Sequence, residues 1–156
     1  MAKVYLETSF ISYLVARPGR DLITTARQQI TREWWEKERA KHEIYASEVV
    51  LRESLLGDQG AVVQRMAVLA ECAILDVPQD ADDLAELLVQ RHALPAKAAA
   101  DALHIAVATV HGMDYLLTWN CKHIANLMMR GVIEKTCRTV GYEPPAFGTP
   151  EELGDL

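Results

Sequence analysis

The stretch Ala98-Ala-Ala-Asp101-Ala-Leu-His104-Ile-Ala-Val-Ala-Thr-Val-His111-Gly112-Met-Asp114-Tyr-Leu-Leu-Thr118-Trp-Asn120 decides the reading of this chain. It spells an alanine-rich helix, a glycine stop at Gly112, and a short apolar strand that runs out into Thr118-Trp119-Asn120. Pro95 suits the first helical turn, where a missing N–H costs nothing. Helical spacing from Leu94 puts Ala98, Asp101, Ile105 and Ala108 on one stripe. Only Asp101 in that stripe is neither apolar nor small. A carboxylate there is costly unless something pairs with it. Two explanations stand: a structural acid bonded to a backbone N–H or to a Lys or Arg, and a ligand of a bound metal ion. Further acids able to converge on Asp101 would favour the second.

A chain of 156 residues is long enough for one domain with a substantial core. Half of it is apolar, as in ordinary globular proteins. The net charge of −6, from 16 basic and 22 acidic residues, argues against a protein that coats nucleic acid through bulk charge. It leaves room for a nuclease, because an acidic metal site adds negative charge and a basic groove can be local. Cys72, Cys121 and Cys137 form an odd set without Cys-x-x-Cys spacing. They read as packing residues in a reducing cytosol rather than as a zinc site. No basic-plus-apolar leader and no bilayer-length apolar run is visible, so a soluble cytoplasmic protein is expected. The expected organisation is one domain over residues 1–143 and a C-terminal tail over 144–156, read as a loop with one capped turn at Thr149-Pro-Glu-Glu.

Taken in order, Val4-Tyr-Leu6 is a short apolar run suited to a buried central strand of a parallel sheet. It ends at Glu7, and Thr8 or Ser9 can N-cap a helix through Phe10–Leu14. Ligands of open α/β sheets sit beyond the carboxyl ends of strands, which is where Glu7 falls. A solvated turn acid is the plainer account of it. Pro18-Gly19 marks a turn. A helix over about 22–41 follows, with Ile23, Ala26, Ile30 and Trp34 on its apolar side. Trp34 and Trp35 read as core or dimer anchors. Among the basic residues nearby, Arg27 included, Arg17 and Arg20 are the better candidates for substrate contact because their loop follows Glu7 closely in sequence.

Residues 43–47 read as a second strand, with Ser47 capping a helix and Glu48 in its first turn. Val49, Val50, Glu53 and Leu56 share a side of that helix, so Glu53 faces inward as Asp101 does. A helix over 61–71, a strand over 73–77 and a helix opening at Gln79 follow, the last with acids placed to suit its dipole. A strand over 114–118, a short helix over about 121–129 stopped by Gly131, and a last strand over 137–140 complete the expectation. His42, His92 and His111 read as surface or turn residues. Strands alternating with helices predict a three-layer α/β/α sandwich around a mostly parallel sheet.

Glu7, Glu53, Asp101 and Asn120 thus share a description: polar groups at strand ends or on inward helix faces. If the first and fourth strands are adjacent, their ends meet above the sheet. Three clustered carboxylates would repel one another and raise their own pKa values. Mg²⁺ or Mn²⁺ would relieve that, since hard ions take carboxylate and amide oxygens. Catalysis by a Gly-x-Ser-x-Gly elbow or a Gly-x-x-x-x-Gly-Lys loop has no motif here.

These residues resemble the PIN domain, a family of metal-dependent nucleases that includes VapC-like toxins of bacterial toxin–antitoxin pairs. The carriers are Val4-Tyr-Leu-Glu7-Thr8-Ser9, the helix from Ser47 to Glu53, Asp101-Ala-Leu-His104-Ile-Ala, and Leu117-Thr118-Trp-Asn120, spread over nearly the whole chain. The resemblance implies Glu7, Glu53 and Asp101 as acidic metal ligands, with Thr8 and Thr118 as nearby hydroxyls. It implies an Mg²⁺- or Mn²⁺-dependent endoribonuclease of the toxin type, an RNA substrate, a cognate antitoxin and a homodimer. His104 and His123 become candidates for substrate contact, His104 also for a buried histidine bonded to a carbonyl. Two departures matter. The family usually has Asp where Glu7 stands and often a fourth acid where Asn120 stands. Asn120 can still offer an amide oxygen but no charge. A module that binds RNA or a protein without cutting is the alternative.

Overall fold

The computed structural model describes residues 1–91 and 93–154, so the reading of His92 lies outside the described residues. Five parallel strands, β1 (Lys3–Leu6), β2 (Glu43–Ser47), β3 (Ala73–Leu75), β4 (Tyr115–Leu117) and β5 (Ala146–Gly148), lie in the order β3-β2-β1-β4-β5. β1 is central and wholly apolar from Val4 to Leu6, and all three of those residues are fully buried. An apolar run of that kind needs cover on both faces. Among the described residues seven helices supply it: α1 (Thr8–Val15), α2 (Leu22–Lys37), α3 (Glu48–Ser54), α4 (Gln59–Leu69), α5 (Gln79–Gln90), α6 (Ala99–Val110) and α7 (Leu127–Thr139).

The chain steps from β1 out to β2 and β3, then returns past β1 to β4 and β5. Right-handed crossovers put the helices of the outward leg on one face and those of the return leg on the other. The packing agrees: α1 touches α2, α3 and α4, while α5 touches α6 and α7. The architecture is therefore the three-layer α/β sandwich read from the sequence. β1 and β4 flank the point where strand order reverses, the place where such sheets bind ligands beyond their carboxyl ends.

Several elements differ from the sequence reading. Helix α6 begins at Ala99, after a 3₁₀ turn over Ala96–Ala98 headed by Pro95. Asp101 therefore sits in the first turn, where the helix dipole favours a carboxylate, and not mid-helix. Gly112 does take a left-handed conformation, φ 71°, and stops α6 as expected. Residues 121–126 form turns instead of a helix, and α7 runs straight through Gly131 to Thr139, absorbing the strand expected at 137–140. Asn126 starts it, its side chain accepting the Met128 N–H at 2.9 Å. Helical phase buries Ile133, Thr136 and Cys137 together, which outweighs the roughly 1 kcal/mol cost of one helical glycine.

On α2, Leu22 and Ile23 are 88% and 67% exposed, and the inward stripe is Gln28, Thr31 and Trp34. Gln28 explains its burial: its amide donates to the Arg17 carbonyl (2.7 Å) and accepts the Gly19 N–H (2.9 Å), tying the 17–21 loop down. Trp34 is a core anchor, edge-on to Phe10. Cys137 is buried and Cys72 partly so, while Cys121 is exposed and is not the packing residue expected. Burial pushes the Cys137 and Cys72 thiols up to about 11 and about 12.

The segment after residue 143 is more than a loop. It holds the expected capped turn, with Glu152 accepting the Thr149 N–H at 3.0 Å, but also the edge strand β5. β5 pairs Phe147 with Leu116 and Gly148 with Leu117. The Trp34 indole donates to the Leu153 carbonyl at 2.6 Å, fastening α2 to this segment. Phe147 is 3% exposed within the core. Phe147→Ala is expected to cost about 3–5 kcal/mol, read as a lowered urea midpoint with an unchanged slope.

Candidate metal and nuclease site

The register of the central strands builds the site. Leu6 pairs with Leu117, so Glu7 and Thr118 emerge side by side at the carboxyl ends of β1 and β4. The Glu7 N–H donates to the Leu117 carbonyl at 3.0 Å, and the Thr118 N–H to the Gly148 carbonyl of β5 at 3.0 Å. Adjacency of the first and fourth strands, the condition on which convergence depended, is met. Glu7, rather than Thr8 or Ser9, is the N-cap of α1. Its Oε2 accepts the Ser9 N–H (2.9 Å), the Ser9 hydroxyl and the Thr118 hydroxyl (2.8 Å). Ser9 Oγ in turn accepts the Trp119 N–H (2.8 Å), and Thr118 Oγ1 the Asn120 N–H (2.9 Å).

Glu53 reaches the same end of the sheet from α3, whose N-cap is Ser47 as expected. Its Oε1 accepts the Thr8 hydroxyl at 2.5 Å and is 2.6 Å from His104 Nε2. Burial pushes the Glu53 carboxyl up, but its surroundings, led by the hydrogen bond from His104 and including that from Thr8, outweigh that and hold it below the usual carboxylate range. Asp101, at the start of α6, meets His123: Oδ2 lies 2.9 Å from Nδ1. The His123 N–H donates to Asn120 Oδ1 at 3.0 Å. One hydrogen-bond net thus joins Glu7, Asn120 and Asp101, while Glu53 belongs to a second net with Thr8 and His104.

A common pattern emerges. Among the described residues, each of the three carboxylates spends one oxygen on the protein and leaves the other without a protein hydrogen bond: Oε1 of Glu7, Oε2 of Glu53 and Oδ1 of Asp101. None of the three is paired with Lys or Arg among those residues. Such oxygens are the donors a hard dication takes. The expectation of mutual crowding needs correction, however. Among the described residues no three His, Cys, Asp or Glu side chains are grouped so as to hold a metal ion. Two of the acids lean on imidazoles instead, and the Glu53 carboxyl is lowered by its partners rather than raised by repulsion.

The remaining candidates separate cleanly. Thr118 is fully buried, so it holds Glu7 rather than facing substrate. His104 is fully buried too and bonds a carboxylate, not a carbonyl. Asn120 spends its amide oxygen on the 120–123 turn. Arg17 and Arg20 follow α1, whose eight residues carry the chain roughly 12 Å from Glu7. Arg27 on α2 meets the loop that follows β4. Its guanidinium lies over the Trp119 ring, 5.2 Å from the centroid, and the Tyr13 hydroxyl raises its affinity for its proton. Trp119 is itself locked by its indole donating to Thr31 at 2.8 Å. Only the neighbouring Thr118 and Asn120 in sequence pointed towards this pair.

Because Thr118 both donates to Glu7 and accepts from Asn120, Thr118→Val is expected to cost about 1–3 kcal/mol in urea denaturation, although valine fills the same volume.

Comparison with solved structures places the fold. Mycobacterium tuberculosis VapC20, a toxin that cleaves the sarcin–ricin loop, aligns at TM-score 0.61 and 20% identity over 83% of this chain and 94% of that one. A chain of a Klebsiella pneumoniae toxin–antitoxin complex aligns at 0.58 and 19% over 81% and 93%. A chain of Rickettsia felis VapBC2, bound to a fragment of its promoter DNA, aligns at 0.55 and 19% over 76% and 88%. No curated protein sequence matches the chain significantly. The family model described as PIN domain matches residues 4–120, from the start of β1 to the amide that ends the β4 loop, and the chain belongs to the PIN domain family.

Proposed function

We propose that this protein is a metal-dependent endoribonuclease of the toxin type, hydrolysing RNA phosphodiesters with Mg²⁺ or Mn²⁺. The observation that carries the reading is the split use of the carboxylates: Glu7, Glu53 and Asp101 each keep one oxygen free at the end of the sheet where such folds bind ligands. Those free oxygens would hold the ion once the three side chains close on it from the spacing they have here. When bound, a hard dication supplies an activated water at neutral pH and neutralises charge on the phosphoryl oxygens. The chain's own part is positioning. Ser9, Thr8 and Thr118 fix the glutamates, and His123 fixes Asp101. Arg27, over the Trp119 ring and outside any ion pair among the described residues, would meet the phosphate backbone.

The toxin–antitoxin structures to which the fold is similar support a protein antitoxin as partner, and the same reading carries a homodimer and a cytoplasmic setting as proposals. No helix of the described residues is long and apolar enough to cross a membrane. Cleavage of a mixed RNA panel in Mg²⁺ or Mn²⁺ is the expected result. Asp101→Asn should abolish it while leaving the melting temperature within a few degrees, because the amide oxygen still accepts from His123. Arg27→Ala should weaken RNA binding about tenfold without affecting ion binding. An intact panel with both ions defeats the proposal.

A second reading has its own observation. Asn120 brings no charge and gives its amide oxygen to the His123 N–H, so the site has three acids where the family often has four. A module that binds RNA or a partner without cutting would show that affinity in calorimetry with no heat of Mn²⁺ binding.

A further inference from the structure

Beneath the carboxylates runs a buried file of polar side chains that the proposed reaction does not touch. Ser47 Oγ accepts the Val50 N–H at 3.4 Å. The Ser47 and Tyr5 hydroxyls are 2.8 Å apart, Tyr5 Oη is 2.8 Å from His104 Nδ1, and His104 Nε2 is 2.6 Å from Glu53 Oε1. Ser47, Tyr5 and His104 are all fully buried. They come from β2, β1 and α6, so the file crosses the sheet's central pair and ends in α3.

The proton directions follow from donor counting. A carboxylate only accepts, so His104 Nε2 must carry the hydrogen that faces Glu53. In a neutral ring Nδ1 is then an acceptor, filled by the Tyr5 O–H. The Tyr5 oxygen accepts from the Ser47 O–H, and the Ser47 oxygen from the backbone. Every hydroxyl gives once and receives once. The reversed tautomer would set two lone pairs against each other at 2.6 Å and leave a buried Nδ1–H facing an oxygen whose own hydrogen must turn away. Burial also pushes the Tyr5 hydroxyl far above its ordinary value, so it remains a donor.

The geometry points to His104 as a positioning residue: Tyr5 and Ser47 hold its ring in the Nε2–H form, and that N–H pins Oε1 of Glu53 so that Oε2 is presented to the site. The inference rests on the reading of Glu53 as a metal ligand, but its first half concerns the metal-free protein. Partners of this kind around ligating groups are worth about 10- to 100-fold in metal affinity.

The test has two arms on the full chain. Nitrogen-15 NMR of the metal-free protein should show His104 in the Nε2–H tautomer with an exchange-protected ring proton. In Tyr5→Phe, which keeps the ring in the core, that protection should be lost or the tautomers mixed. Mn²⁺ titration should then show affinity falling about tenfold or more in Tyr5→Phe and in His104→Leu, with partial recovery in His104→Gln, whose side-chain amide can still donate to Glu53. A purely structural histidine would give leucine and glutamine variants of equal Mn²⁺ affinity at equal stability. An Nδ1–H tautomer in the wild type, or unchanged ring-proton protection and Mn²⁺ affinity in folded Tyr5→Phe, overturns the inference. Absence of Mn²⁺ binding by the wild type overturns the nuclease reading, and the nitrogen shifts still decide whether the file orients Glu53.

Discussion

The Glu7 carboxylate is the constraint around which the molecule is arranged. It is buried, and a single oxygen answers to donors from α1 and from the end of β4. A buried charge without such partners would be expelled or neutralised. Here the partners turn a cost into geometry. They set the entry angle of α1, hold β4 against β1, and fix the Thr118-Trp119-Asn120 loop through Ser9 and Thr118. The other oxygen has no protein hydrogen bond among the described residues, so the same carboxylate serves as structural cap and open donor.

Much of this was legible in residues that break a local pattern. Glu7 ends an apolar run that must be a central strand, Glu53 and Asp101 interrupt small or apolar stripes, and each lies where the sheet's ends converge. The α/β alternation followed from the same runs. What failed to show were features set by distant partners. Gln28 belongs in the core only because the 17–21 loop offers it a carbonyl and an N–H. The C-terminal helix was hidden by a glycine and by β-branched residues that packing, not propensity, decides. His104 read as a possible substrate contact because its spacing from Asp101 gave no hint of Tyr5, nearly a hundred positions earlier in the chain.

The site residues divide the same way. The acids stand out by their oddness in a stripe, whereas nothing in the spacing sets Arg27 apart from Arg17 and Arg20. Sequence proximity to Glu7 favoured those two, and α1 then carries them away. Arg27 meets the loop after β4 through its contact over the Trp119 ring, a long-range pairing that no periodicity records. The two imidazole–carboxylate contacts belong to this class as well, and they explain why the acids are braced apart instead of crowded.

The edge strand carries a consequence for biosynthesis. Gly148 receives the amide of Thr118, and Leu153 receives the indole of Trp34. On a ribosome, where chains emerge from the amino end, both acceptors appear after every acidic group of the net. The loop after β4 and the end of α2 therefore gain these anchors only once this late segment has cleared the exit tunnel.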